Sequence, residues 1–274
     1  YDYVTLGNHD FNNGYDYLKR HLAALQAKCL GANVEDLRGE LPIASAAVHT
    51  LGNGLRVGLV GIVTDWVNRW EKPENLTELR VHDPFEAARK AIETLDADII
   101  VGIYHGGVEK DLASGRALSK TDENIACRLC EELHIDLLLT GHQHIPMANQ
   151  HWNGTHIVQT PCNAASYVKV TLEEDGFHSE LCQVANSAVL TDSQSALWEE
   201  LNTWLDTPIG RLSRAIWPSE KLDMALNGSS IADFFNTVQL WASGADVSCA
   251  ALGNELRGFD SSVTVRDVVA SYVY

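Results

Sequence analysis

The sequence predicts an α/β protein on a largely parallel sheet, from three observations. Short apolar runs rich in branched residues, 99–103 and 135–140, each follow a stretch whose apolar residues recur at helical spacing. Helices alternating with buried strands imply right-handed crossovers between parallel neighbours. Several runs also give way to glycine, asparagine and histidine, and the carboxyl-end crevice of such a sheet is where ligands bind.

The first element is a strand, 3–6, broken by Gly7-Asn8-His9-Asp10 and followed by a helix with Tyr15, Leu18, Leu22 and Leu25 on one face. Asn8 reads equally well as a turn residue and His9 as a loop histidine. Runs 46–50 and 55–63, joined by Gly52-Asn53-Gly54, predict a hairpin. Residues 66–80 look like an irregular connection. Asp83-Pro84-Phe85-Glu86 then starts a helix with a capping Asp, Pro at the first position and Glu at the third, and Phe85, Ala88, Ile92 and Leu95 form its stripe. The strand 99–103 ends in Tyr104-His105-Gly106-Gly107. A helix at 125–133 leads to the strand 135–140, which ends in Gly141-His142-Gln143-His144.

In one parallel sheet, Asn8, His105 and His142 would share an edge. An imidazole pair suits a borderline divalent metal such as zinc, manganese or iron. A lone strand-end histidine is more often structural; three strand ends offering Asn or His favour a metal pocket. After a strand at 155–158, the loop 160–166 containing Asn163 either rims the same crevice or is an ordinary connection. Segments 167–172 and 177–184 flank Glu174-Asp175-Gly176, a second hairpin signal. At Asp192 the pattern changes, marking a domain boundary. Leu197, Leu201, Trp204 and Leu205 mark a helix ended by Pro208 and Gly210. A further helix from Ser229 or Ser230 carries Ile231, Phe234, Phe235, Val238 and Trp241, and 245–252 reads as a short apolar strand.

The totals bound the function. The 274 residues are 45% hydrophobic and 21% charged, enough for one large domain or two ordinary ones with a sizeable core. A net charge of -17 argues against broad binding to nucleic-acid polymers or anionic membranes. It leaves room for a nucleotide substrate, because bound cations reverse the local field. Six cysteines form no disulfide framework, and Cys127-x-x-Cys130 sits in a helical pattern with Ala126, Leu129 and Leu133, where packing is the simpler reading. No stretch is long and apolar enough to span a membrane. Sequons at Asn75, Asn153 and Asn227 are no more than chance supplies. The chain opens in mid-strand without an initiator Met and stops at Tyr274 in an apolar run. We expect a fragment, whose missing signal says nothing about compartment.

Gly-Asn-His-Asp, a His-Gly-Gly after a strand, and Gly-His-Gln-His, in that order, resemble the later motifs of calcineurin-like metallophosphoesterases. Within them the chain resembles the bacterial 5′-nucleotidase and 2′,3′-cyclic-nucleotide 2′-phosphodiesterase/3′-nucleotidase family. Stretches 7–18, 70–75 and 263–267 point to the cyclic-phosphodiesterase branch. The resemblance implies a β-sandwich flanked by helices in four αββα layers over 1–190, a linker helix at 191–207, and from 208 to 274 the start of an α+β substrate-binding domain.

It also implies two divalent ions (Mn, Zn, Fe or Co). Asn8, His105 and His142 would bind the second and His144 the first. His9 would face the phosphate, where it stabilises the developing charge or protonates the leaving oxygen. The family's Asp-x-His and Gly-Asp motifs would precede Tyr1, so the segment alone is expected to be inactive or nearly so. Many 5′-nucleotidases have Asp three positions after the motif histidine, where Asn12 stands here. An amide can orient an imidazole but does not stabilise imidazolium as a carboxylate does; the cyclic-phosphodiesterase branch shares this Asn. Arg257 and Asn163 are the substrate-binding candidates, and a surface arginine is an equal reading of Arg257. The expected reaction is hydrolysis of 2′,3′-cyclic nucleotides and 3′-nucleotides. The alternatives are a 5′-nucleotidase or nucleotide-sugar hydrolase and, from another class, a non-catalytic metal- or nucleotide-binding surface protein. Family members act in the periplasm, cell wall or medium.

Overall fold

Branched apolar runs pair side by side where both faces can be covered, and a computed structural model, describing residues 1–184, 190–252 and 256–272, contains two such sheets in the first of its two units. The units are Tyr1–Ala185 and Asn186–Tyr274. The expected domain boundary adjoins residues 185–189, and these, 253–255 and the terminal pair ending in Tyr274 lie outside the described residues.

The first unit begins with β1 (Tyr3–Thr5), a 3₁₀ turn at Asn8–Phe11, α1 (Gly14–Ala24), β2 (Lys28–Leu30), β3 (Val34–Asp36) and β4 (Ile43–Ala44). The hairpin β5 (Ala46–Thr50) and β6 (Arg56–Val63) follows, then α2 (Val67–Trp70), β7 (Leu79–Val81), α3 (Pro84–Glu93), β8 (Ile99–His105), α4 (Ala126–Glu132) and β9 (Leu137–Thr140). Two hairpins complete it: β10 (Met147–Trp152) with β11 (Thr155–Gln159), and β12 (Ser166–Glu173) with β13 (Gly176–Gln183).

The six-stranded sheet runs β10-β11-β9-β8-β6-β5, with a parallel centre and antiparallel edges. Strands β1, β2 and β4 form a separate parallel sheet. This corrects the expectation of one shared edge, because Asn8 follows a strand of the smaller sheet while His105 and His142 follow strands of the larger. Glycine permits the two sheets to approach. A Cβ on Gly61 of β6 would lie 2.4 Å from the Leu30 carbonyl oxygen of β2, and just beyond β2 Ala32 N–H donates to the Gly61 carbonyl at 2.7 Å.

The larger sheet buries Val60, Ile62, Tyr104, Leu138 and Ile157 against Phe85 and Ala88 of α3 and Leu129 of α4. Helix α3 starts as its sequence signals, Asp83 Oδ1 accepting from Glu86 N at 2.9 Å. Cys127 and Cys130 are buried in α4, consistent with packing, and burial pushes both thiols up to about 12. The smaller sheet is covered by Phe11, Tyr15, Leu18 and Leu22. Strand β10 went unread in the sequence. Its turn, Asn153-Gly154, has φ of 49° and 88°, the tight hairpin geometry that an Asn-Gly pair favours.

The second unit contains α5 (Asp192–Leu205), β14 (Pro208–Arg211), α6 (Lys221–Asn227), α7 (Ser230–Ser243), β15 (Ser262–Thr264) and α8 (Val265–Ser271). Ile231, Phe235, Phe259 and Val263 form its core. The expected strand at 245–252 is absent. Ser248 Oγ instead donates to Asn236 Oδ1 and Gln239 Oε1 of α7, and Ala250 and Leu252 pack on the core without a ladder partner. On α7 only Ile231 and Phe235 of the five stripe residues are buried; Trp241 is exposed.

Candidate metal centre

Three loops of the first unit converge. After β1, Gly7 N–H donates to Asp10 Oδ2 at 2.7 Å while Phe11 is fully buried beneath the turn, which fixes Asn8 and His9 at its start. Asn8 Oδ1 lies 2.8 Å from His105 Nε2, the last residue of β8. The approach needs Gly7, since a Cβ there would meet the His105 ring at 2.9 Å. The rings of His105 and His142 are 5.4 Å apart. Burial, and then the neighbouring imidazoles of His142, His9 and His144, lower the His105 pKa to about 4. His105 is therefore neutral at pH 7, the form in which imidazole ligates metal.

The loop after β9 is held in a sparsely populated geometry. His142 and His144 have φ of 69° and 58°, a left-handed region that non-glycine residues seldom adopt and that clusters at functional sites. Gln143 between them clamps the neighbouring loop: Val108 N–H donates to its Oε1 at 2.8 Å, and its Nε2 donates to the Val108 carbonyl at 2.9 Å. Gly141 N–H donates to the Gly106 carbonyl at 3.1 Å. His142 Nε2 is 2.8 Å from Glu123 Oε1, and the Trp70 indole stacks on the His142 ring at 5.4 Å and 27°. His144 is exposed, near enough for its charge to be felt at His105.

His9 Nδ1 lies 2.8 Å from Asn12 Oδ1, and Asn12 Nδ2 donates to Glu71 Oε2 at 2.7 Å. Thus Asn8, His9, Asn12, His105, His142 and His144 come together in one region. Asn163 and Arg257 do not join them. Asn163 is exposed in a left-handed turn with φ of 65°, and among the described residues it makes no hydrogen bond to the histidines. Arg257 lines a cavity of about 480 Å³ in the second unit with Trp217, Leu256 and Arg266. Sequence reading missed Glu71, Trp70, Glu123 and Gln143. The first two lie in a stretch singled out only for resemblance; Glu123 carries no periodic or motif signal.

The donor chemistry suits a divalent cation. A neutral amide oxygen and imidazole nitrogens at this spacing match what Mn, Zn, Fe and Co accept. Carboxylate–imidazole contacts such as Glu123–His142 are the usual support behind a metal-ligating histidine. A second group, Glu173, Asp175 and His178, lies exposed at the tip of the β12–β13 hairpin. Its Asp175 hydrogen-bonds His178 at 2.9 Å and raises that imidazole's pKa, favouring protonated ring over ligand.

Strand-end amide and imidazole donors thus meet between two helix-covered sheets, an arrangement that suits a metallohydrolase type of centre. Residues 1–146 match the profile of the calcineurin-like phosphoesterases, and the chain belongs to that family, whose members use divalent metal ions. It is 31% identical over 157 residues to the 2′,3′-cyclic-nucleotide 2′-phosphodiesterase/3′-nucleotidase of Salmonella typhimurium, a match covering 52% of this chain and 24% of that protein. It is 32% identical over 156 residues to the trifunctional nucleotide phosphoesterase of Bacillus subtilis, covering 53% and 10%. A Staphylococcus aureus protein assigned as a 5′-nucleotidase and crystallised with alpha-ketoglutarate superposes with a TM-score of 0.85 at 31% identity, over 99% of this chain and 56% of that one. A 5′-nucleotidase precursor from Thermus thermophilus shares the fold with a TM-score of 0.69 at 21% identity, over 98% and 57%. The chain thus spans about half the length of these solved structures and a quarter or less of the two curated relatives. Among the described residues no helix is long and apolar enough to cross a membrane.

Proposed function

We propose that this chain carries the core of a metal-dependent nucleotide phosphoesterase acting on 2′,3′-cyclic nucleotides and then on the resulting 3′-nucleotides. The observation that carries the reading is the meeting of Asn8 Oδ1 and His105 Nε2 at 2.8 Å beside His142. Two amide or imidazole donors turned on one point, one of them a neutral histidine, make a cation pocket. On this reading Asn8, His105 and His142 hold one divalent ion and His144 contributes to a second. Such a pair, when bound, supplies an activated water and neutralises phosphoryl charge for in-line displacement.

The chain's own residues do the rest. Glu123 and Trp70 hold the plane of His142. His9, held through Nδ1 by Asn12, presents Nε2 to the leaving oxygen. As the water oxygen bonds to phosphorus and the bond from phosphorus to O2′ breaks, His9 gives its proton to O2′. The products are a 3′-phosphate and a free 2′-hydroxyl. The second unit, with Arg257 in its cavity, is the part we assign to substrate binding, with Asn163 as a further candidate on the first. By analogy with the family it resembles, we assign its action to the periplasm, cell wall or medium.

The test is turnover by the native full-length protein with manganese on 2′,3′-cyclic AMP, 3′-AMP and 5′-AMP. The expected result is hydrolysis of the first two ahead of the third. Preference for 5′-AMP would make the protein a 5′-nucleotidase, as some relatives are named. Metal binding without turnover of any phosphoester would favour the non-catalytic reading.

A further inference from the structure

We propose that Glu71 is a positioning residue for the phosphoester chemistry, fixing through Asn12 the orientation in which the His9 imidazole meets the leaving group. The inference rests on the reading of His9 as proton donor and adds a residue to it.

A primary amide is nearly symmetric in shape, so Asn12 can present either its carbonyl or its NH₂ to His9. A carboxylate only accepts. With Glu71 Oε2 2.7 Å from Asn12 Nδ2, the NH₂ must face Glu71 and the carbonyl must face His9. The carbonyl in turn accepts a hydrogen only from Nδ1–H, which leaves Nε2 for the substrate. A reversed amide would set two donors against each other at Nδ1. The ring would then lose the bond that fixes its orientation and with it the aim of Nε2.

Glu71 is itself fixed. Asn75 Nδ2 and Lys72 N–H each donate to its Oε1 at 2.8 Å, and Asn75 Nδ2 also donates to the Asn12 backbone carbonyl at 2.9 Å. Burial pushes the Glu71 pKa up, but the donors from Asn75, Lys72 and Asn12 outweigh it and hold the group below the usual carboxylate range. A negative charge therefore stands one amide away from an imidazole that has no carboxylate of its own. The preceding residue, Trp70, stacks on His142. The end of α2 and the residue after it thus support both halves of the centre.

The test is a charge-exchange cycle in the full-length, manganese-loaded protein: Glu71→Gln, Asn12→Asp, and both together, with kcat and KM on 2′,3′-cyclic AMP and manganese affinity measured for each. Glu71→Gln frees the amide and should lower kcat about 10–100-fold, the usual loss for a supporting partner, with KM and manganese affinity little changed. Asn12→Asp faces two carboxylates and should lose comparably. The double variant restores one acceptor toward Nδ1 and one donor behind it, and should recover most of the lost kcat. Additive losses with intact folding and metal binding, or full kcat in Glu71→Gln, would overturn the proposal.

Selective ¹⁵N-histidine NMR reads the same claim without turnover. Neutral His9 should carry hydrogen on Nδ1 in the wild type and lose that preference in Glu71→Gln. Hydrogen on Nε2 in both would overturn the proposal even if the nucleotidase reading stands. Failure of wild type to hydrolyse any phosphoester would instead overturn that reading, leaving the NMR result to judge Glu71.

Discussion

His9 differs from the other histidines of the centre in what it touches. His105 meets Asn8 and lies edge-on to His142, whereas the Nδ1 of His9 is bound to Asn12 and, among the described residues, its other nitrogen has no hydrogen-bond partner. A proton donor matters most when the leaving oxygen is a poor leaving group, as a sugar alkoxide is. His9→Ala should therefore lower kcat on 2′,3′-cyclic AMP about 10²–10⁴-fold, lower it far less on a p-nitrophenyl phosphoester, and leave manganese affinity unchanged. An equal loss on both substrates would show that His9 does not act as the acid. The residues that meet around His105 were legible as residues, because glycine and histidine at strand ends are uncommon punctuation. Their supports were not. Glu71 and Glu123 reach the centre from irregular connections and Trp70 from the end of the one-turn helix α2, where nothing in the spacing records which way a side chain turns.

Among the elements, the regular ones were read with little error where periodicity and capping agreed. Helix α3 has its Asp83 cap and Phe85–Ala88 stripe, and the β5–β6 and β12–β13 hairpins pair where the turn residues place them. Two misreadings share one cause. The run 245–252 has strand composition but no neighbour to pair with, and β1 has a neighbour, β2, too short to stand out in sequence. Strand identity depends on a partner as well as on composition. The packing of the two sheets depends on Gly61 in the same way. Gly61→Ala would bring a Cβ within 2.4 Å of a backbone carbonyl, which cannot rotate away. We expect destabilisation of about 1–3 kcal/mol, the range for overpacking, read as a lower urea midpoint with unchanged slope. Wild-type stability in this variant would mean that the sheets do not depend on this close approach.

Across the molecule, an acidic chain with net charge -17 gathers an amide and imidazoles at one point, where on the proposed reading a positive field would come from bound cations. The same preference for neutral imidazole recurs at His156, where burial and then the charges of His151 and His178 lower the pKa. His156 is buried and hydrogen-bonded to His151 and Ser179. With its folded pKa below the unfolded value of about 6.5, the unfolded chain binds the proton first, so stability is full above that pH and is lost as pH falls below it. The metal-free protein should unfold at lower temperature at about pH 5.5 than at about pH 7.5, and His156→Gln should reduce that slope. A pH-independent midpoint in the wild type would contradict this assignment.

The most direct measurement is calorimetric titration of manganese into wild-type protein and His105→Ala, with folding of both verified by circular dichroism. If Asn8, His105, His142 and His144 form a cation pocket, removing His105 should weaken manganese binding at least about 100-fold, one neutral ligand and its support being worth several kcal/mol. Equal affinity in the two proteins would contradict the account, since the residue at the meeting point of the strand ends would then hold no metal.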